Sequence, residues 1–361
     1  MRRVLVEAML LAAVALLALS GCSGSRTTQE PDLGALVDRV VAAGAPGALV
    51  VVRRGEEVRS VARGLADRSV PIRPDDRFRI GSVTKTFVAV LVLQLVEDGR
   101  LRLDDPVERW LPGLVPGGRR ITVRRLLSHT SGLFDYVEDP RVFRDPGRRW
   151  RPRELVALAV ERPVAPPGRF AYSRTNYLVL GLIAEEAGGA ALGRQLSTRL
   201  FQPLGLRRTS FVPGPVQGRH VHGFRAPSHQ GIVTGPPVDT GGEPAWWTWA
   251  AGGIVSTPND LQRFFRALLR GRVLPPPLLR ELETLVPAGR QRYGLGIATF
   301  PTPCGPAWGH TGNILGTVTV VWNTKDASHQ LVVVVNAYPL SPALEAAVRR
   351  VQLAAFCGDG A

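Results

Sequence analysis

The sequence predicts an α+β fold: an antiparallel sheet lobe built from both ends of the chain, with an all-helical lobe inserted between them. Three observations predict it. Strand-like runs occur early, in "GALVVVRRGEEVRSVARG", and return only late, in "YGLGIATF", "GTVTVVW" and "QLVVVVNAY". Between Ser82 and about Leu285 the signals are mostly helical. A last helical stretch follows Ser341-Pro342. Two lobes of this kind place a binding site in the cleft between them.

The elements follow in chain order. Leu33 to Val41 has the spacing of a helix with one apolar face. The "GALVVV" segment turns at Gly55 into a second strand. "SVTKTFVAVLVLQLVEDGRL", from Ser82, is apolar on most faces and reads as a buried helix. "STPNDLQRFFRALLRG" opens on a capping residue and a proline and closes on a glycine. The predicted organisation is a leader at 1–21, a polar tether at 22–31 and one body at 32–361. Within the body, the sheet lobe takes about 32–80 and 286–361, and the helical lobe about 81–285.

The leader is read from a basic "MRR" start and an unbroken apolar run from Ala8 to Leu19. That run is too short to span a bilayer and right for a secretory signal. "LSGC", ending at Cys22, resembles the bacterial lipoprotein cleavage box. The resemblance implies that Cys22 is lipidated and becomes the new N-terminus. The mature protein would then be extracytoplasmic, in contact with the membrane only through its lipid. An ordinary signal peptide and a secreted product is the other reading. Two cysteines remain, Cys304 and Cys357, in a compartment that permits disulfides. A bridge between them and a pair of free thiols both stay open on this count.

The chain has 361 residues and a formal charge of +15, and only two of its 45 basic residues are lysines, Lys85 and Lys325. Nucleic-acid binding is set aside, because the arginines are scattered and no stacking aromatic module accompanies them. The charge reads as a basic surface suited to anionic surroundings. "HVH", at His220 to His222, lacks cysteine or carboxylate neighbours in sequence, so no metal site is expected. No cofactor motif is found.

Lys85 stands three residues after Ser82, one helical turn away on the same face. A serine hydroxyl needs a base to act as a nucleophile at neutral pH. A lysine serves only if burial and its neighbours lower its pKa, and the flanking apolar run supplies burial. The competing reading is a surface serine and lysine sharing one helix. There is no Gly-x-Ser-x-Gly elbow and no His-Glu-x-x-His.

With these residues the chain resembles the serine β-lactamase and penicillin-binding-protein superfamily. Within its class C branch it resembles the secreted actinobacterial-type serine D-Ala-D-Ala carboxypeptidases. The resemblance rests on "GSVTKTF", "ITVRRLLSHTSGLFDY", "FAYSRTNYLVLG", "YGLG" and "GHTG", in order from about Asp32 to Cys357. It implies a β-lactamase/transpeptidase-like fold. Ser82 would be the acylated nucleophile, and Lys85 and Tyr172 would shuttle its proton. Tyr172 could do so only if cations such as Lys85 and His310 lowered its pKa. His310, Thr311 and Gly312 would line a strand edge that binds the substrate backbone. The N–H groups of Ser82 and Asn313 would form the oxyanion hole. Phe134 and the cluster Trp246, Trp247 and Trp249 would line the pocket or pack in the core. The family likeness also points to a Cys304–Cys357 disulfide.

Two departures stand out. The family's Tyr-x-Asn reads Tyr172-Ser173-Arg174, which places a cation near Lys85 or offers a clamp for a substrate carboxylate. The arginine that the carboxypeptidases carry after "YGLG" is missing, and Ala298 stands near its place. The resemblance implies a DD-carboxypeptidase acting on peptidoglycan stem peptides, with β-lactams as acylating inhibitors. An esterase or β-lactamase on the same fold, and a non-catalytic wall-binding or sensing lipoprotein, stay open.

Overall fold

The computed structural model describes residues 31–358, apart from Pro146, Gln230, Gly231 and Thr234. The apolar leader, Cys22 and all of the tether but Pro31 lie outside the described residues. The main sheet has eight strands. These are β1 (Gly47–Arg54), β2 (Glu57–Gly64), β3 (Val286–Ala288), β4 (Gln291–Tyr293), β5 (Ala298–Phe300), β6 (Ala307–Ile314), β7 (Thr317–Asn323) and β8 (His329–Val335). Their order is β3-β4-β5-β6-β7-β8-β1-β2, antiparallel throughout. β1 lies directly beside β8, with Val50 opposite Val333, so both chain ends share one sheet.

The central strands read as continuous apolar runs because both faces of the sheet are covered. Side chains alternate between faces along a strand. Leu49 and Val51 of β1, with Val332 and Val334 of β8, enter the large helical core. Ala48, Val50 and Val52, with Val333 and Val335, enter a second core on the opposite face. That second core is closed by α1 (Leu33–Ala42) and α5 (Pro342–Cys357). Asp32 caps α1 by accepting the Ala35 N–H at 3.1 Å, and Ser341 caps α5 by accepting the Leu344 N–H at 3.3 Å.

The inserted lobe is built on α2 (Thr84–Glu97), α3 (Thr175–Gly188) and α4 (Pro258–Leu269). α2 is buried from Thr84 to Leu93 without a break, which explains its lack of a polar face. Phe87 stacks on Phe264 of α4 with ring centroids 3.6 Å apart. Short strands also occur in this lobe: Ile254–Ser256 pairs with both Phe78–Arg79 and Ser210–Phe211. Among the described residues no helix is long and apolar enough to cross a membrane.

Cys304 and Cys357 are disulfide-bonded, tying the β5–β6 connection to the end of α5. They stand 53 residues apart in sequence. Closing a loop of that length is worth about 4 kcal/mol on the chain-entropy model.

Candidate active site

The site begins at the junction of the two lobes. Ser82 lies in a 3-10 turn, Gly81–Val83, and the α-helix starts two residues later, at Thr84. The turn is tight because β6 presses on it. Gly81 has φ +52°, and a Cβ there would come within 3.0 Å of the Asn313 nitrogen. A Cβ on Gly312 would lie 2.1 Å from the Ile80 carbonyl oxygen and 3.1 Å from the Ser82 nitrogen. Both glycines are needed for this approach of backbone to backbone. The Ser82 and Asn313 amides are thereby brought to one place.

Lys85 is wholly buried. Its Nζ lies 2.9 Å from Ser82 Oγ and 2.8 Å from the Ala251 carbonyl oxygen. Burial lowers its pKa well below the ordinary lysine value; Arg174 lowers it further, and Asp135 works in the opposite direction. The shift favours the neutral amine next to the hydroxyl. The Tyr172 hydroxyl donates to Ser82 Oγ at 3.0 Å. Burial raises the Tyr172 phenol to about 12, against the pull of Arg174 and the Ser82 hydrogen bond. So Tyr172 is held protonated.

This corrects the expectation that cations would lower the Tyr172 pKa. His310 is not one of them, because burial, then Lys85, push its imidazole down to about 3. Its Nε2 accepts from the Tyr293 hydroxyl at 2.9 Å, and its Nδ1–H donates to the Thr311 carbonyl at 2.6 Å. His310 lines the cleft as a neutral ring.

A cleft of about 360 Å³ opens over Ser82, and Tyr172, Arg174, His310, Thr311 and Asn313 all line it. Phe134 and Trp247 do not. Phe134 instead offers its backbone carbonyl to Ser173 and Thr175, and its ring lies under Arg162. Trp247 packs edge-on to Phe143, and its carbonyl accepts from the Tyr136 hydroxyl. Trp246 fills the space over Gly214, and Trp249 packs on Gly181. The aromatic walls of the cleft are Phe170, Tyr293 and Phe300. All three lie within runs already noted in the sequence, Phe170 at the head of "FAYSRTNYLVLG" and Tyr293 and Phe300 at the two ends of "YGLGIATF", but only as parts of those runs and not as walls of a cleft. The period-two pattern of β5 put Ala298 and Phe300 on one face, but nothing local said which face meets the cleft.

Arg174 does not approach Lys85 as a free charge. Its Nη1 pairs with Asp135 Oδ2 at 2.5 Å, and its backbone N–H donates to Asp135 Oδ1 at 3.1 Å. The other arginine at the cleft, Arg290, stands exposed in the β3–β4 turn and makes no hydrogen bond or ion pair among the described residues. Lys325, the second lysine, pairs with Glu283 and covers the Trp308 ring at 4.1 Å. The histidine pair is held locally. His222 Nδ1 lies 3.0 Å from Asp239, a carboxylate that sequence distance concealed, while both His220 nitrogens face backbone carbonyls. Among the described residues no three His, Cys, Asp or Glu side chains cluster as metal ligands do.

The chain has relatives both in sequence and in fold. Residues 33–356 match the family model described as Beta-lactamase. The chain is 31% identical over 296 residues to Esterase EstB of Burkholderia gladioli, covering 72% of each chain. It is 33% identical over 278 residues to Penicillin-binding protein 4 of Amycolatopsis lactamdurans, covering 73% of this chain and 70% of the relative. A further relative matches over 63% of its own length. Among solved structures, the D-stereospecific amidohydrolase from Streptomyces sp. superposes with a TM-score of 0.81 at 35% identity. That match covers 91% of this chain and 99% of the other. A match from one end of the body to the other, shared by sequence and fold, settles the family: the chain belongs to the Beta-lactamase family of serine hydrolases.

Proposed function

We propose that this protein hydrolyses amide bonds of short D-amino-acid peptides, D-Ala-D-Ala ends included, through an acyl-enzyme on Ser82. The observation that carries the reading is the pair of groups on one oxygen: a buried amine at 2.9 Å and a protonated phenol at 3.0 Å. In acylation, Ser82 Oγ bonds to the substrate carbonyl carbon and its proton passes to Lys85 Nζ. The carbonyl oxygen takes the negative charge, facing the Ser82 and Asn313 amides. The C–N bond then breaks, and the leaving nitrogen receives a proton from the coupled Lys85–Tyr172 pair. Water repeats the sequence to release the acid and restore Ser82.

The backbone of an extended substrate has a natural place. β5 pairs with β6 only as far as Gly309, opposite Ala298. Beyond it, the β6 edge at His310 and Thr311 faces the cleft, ready for an added strand. The preference for D-residues is supported by the likeness to the D-stereospecific amidohydrolase. The likeness to EstB keeps esters as a second substrate class for the same serine. Placement outside the cytoplasm through a lipid on Cys22 belongs to the same proposal.

The deciding experiment is intact mass of the soluble body after exposure to benzylpenicillin, with residual drug measured in the same tube and Ser82→Ala as control. A lasting adduct that requires Ser82 is expected. Drug consumed without an adduct would make the protein a β-lactamase. Drug left intact, together with D-peptides left uncut, would sink the proposal.

The two arginines divide the labour at the cleft. Arg174 is committed to Asp135, so the free guanidinium for a substrate carboxylate is that of Arg290. Arg290→Ala is expected to lower kcat/KM for free-acid D-Ala-D-Ala peptides by about tenfold, the worth of one charge-assisted hydrogen bond, and to spare the amidated peptides. Arg174→Asn should lower both alike, because it releases Asp135 beside Lys85. Loss of discrimination in Arg174→Asn alone would return the carboxylate to Arg174.

A further inference from the structure

His129, in the "SHTSG" segment, is fully buried and touches none of the reacting atoms. It is nonetheless joined to three consecutive residues of the segment that carries Tyr172. Its carbonyl oxygen accepts the Ala171 N–H at 2.8 Å. Its Nδ1 accepts the Ser173 N–H at 3.2 Å. Between these two anchors its ring lies against the Tyr172 ring, centroids 4.3 Å apart and planes inclined by 29°.

The ring's own orientation is also fixed. Asn176 Nδ2 stands 3.0 Å from Nδ1, and Asn176 Oδ1 accepts from Ser131 Oγ at 2.5 Å. That leaves the amide only its N–H₂ to offer the imidazole. Two donors on Nδ1 require the tautomer with its proton on Nε2. Among the described residues Nε2 has no hydrogen-bond partner, and the imidazole is surrounded by rings instead, its centroid 5.0 Å from that of Tyr293 and 5.3 Å from that of Tyr177. The backbone of His129 sits at φ +55°, in the left-handed region that few residues other than glycine adopt and that histidine tolerates better than most. A buried histidine whose N–H finds no partner among the described residues is expensive to keep for packing alone.

We propose that His129 is the positioning residue that aims the Tyr172 hydroxyl at Ser82, by gripping the chain on both sides of Tyr172 and backing its ring. The inference rests on the catalytic reading of Tyr172 given above. The grip has two separable parts, an acceptor at Nδ1 and an aromatic face. His129→Asn keeps an acceptor near the Nδ1 position and tolerates positive φ, but removes the ring. His129→Phe keeps a ring and removes the acceptor, leaving the Ser173 N–H unpaired.

The test measures ester and D-peptide hydrolysis by wild type, the two His129 variants and Tyr172→Phe. His129→Phe is expected to lose about 10²-fold in kcat, the effect of a misplacement of about 1 Å, with KM within about threefold of wild type. His129→Asn should recover at least about tenfold of that loss. A His129→Phe enzyme with wild-type kcat overturns the proposal. So does a loss shared equally between kcat and 1/KM with no recovery in His129→Asn. If Tyr172→Phe is itself fully active, the catalytic reading has failed, and the grip is then judged by hydrogen exchange at the Ser173 amide. Faster exchange in His129→Phe supports the grip, and unchanged protection refutes it.

Discussion

Lys85→Arg is expected to lower the rate of Ser82 acylation by about 10³-fold, within the range that a positioned general base supplies. The argument is one of charge, not of size. Burial holds the Lys85 amine well below its ordinary pKa, so a lone pair is available to take the serine proton. A guanidinium stays protonated even when buried and has no lone pair to offer. Acylation by benzylpenicillin, followed by mass, reads the effect without needing the natural substrate. An arginine enzyme that acylates at the wild-type rate would remove Lys85 from the proton path.

The same lysine is expected to set the low-pH limb of activity. As pH falls through the native Lys85 pKa, the amine becomes an ammonium and acylation is lost. The linkage to stability has a definite sign. The unfolded lysine titrates near the ordinary value of about 10.4, above the native one, so the unfolded state binds more protons in the window between them. Stability therefore rises with pH across that window. A Lys85→Met protein should lack this slope and be more stable at neutral pH while inactive, the usual conflict between a buried functional group and the fold.

Tyr172→Phe is expected to cost about 10²-fold in kcat and little in KM. Phenylalanine keeps the ring that lies on His129 and removes only the hydroxyl that donates to Ser82 Oγ. With the phenol near 12, Tyr172 remains an acid throughout the physiological range, so its loss should lower the plateau of the pH–rate profile and leave the low-pH limb in place. A variant whose low-pH limb moves with the plateau would show that Tyr172, rather than Lys85, takes the serine proton.

The parts of the site that were legible from sequence are those carried by one short segment. Ser82 and Lys85 are one turn apart, so their meeting follows from helical spacing and the surrounding apolar run. Tyr172 was legible only through its motif, because no local rule brings residue 172 to residue 82. Arg290 and Phe300 were not legible, since their place depends on a sheet whose neighbours are far apart in sequence. The tryptophans misled for the opposite reason. "AWWTWA" is conspicuous in composition, yet Trp246, Trp247 and Trp249 fill space against Gly214, Phe143 and Gly181. The state of His310 depends on burial and on Lys85, neither of which a triad of letters records. The fold was easier, because strands covered on both faces and a helix apolar all round leave strong patterns.

The early parting of β5 from β6 at Gly309 has a consequence beyond catalysis. Inside the sheet, the β6 edge loses its β5 neighbour at the point nearest the cleft over Ser82. On the function proposed above, the missing neighbour would be supplied from outside, and the substrate would be read first as a piece of backbone and only afterwards by its side chains. Such a device selects for an extended main chain with a free N–H and is tolerant of what that chain carries. Peptides that cannot lie straight are expected to be turned away before side-chain identity matters. One scaffold can thereby serve substrates that differ widely in their side chains.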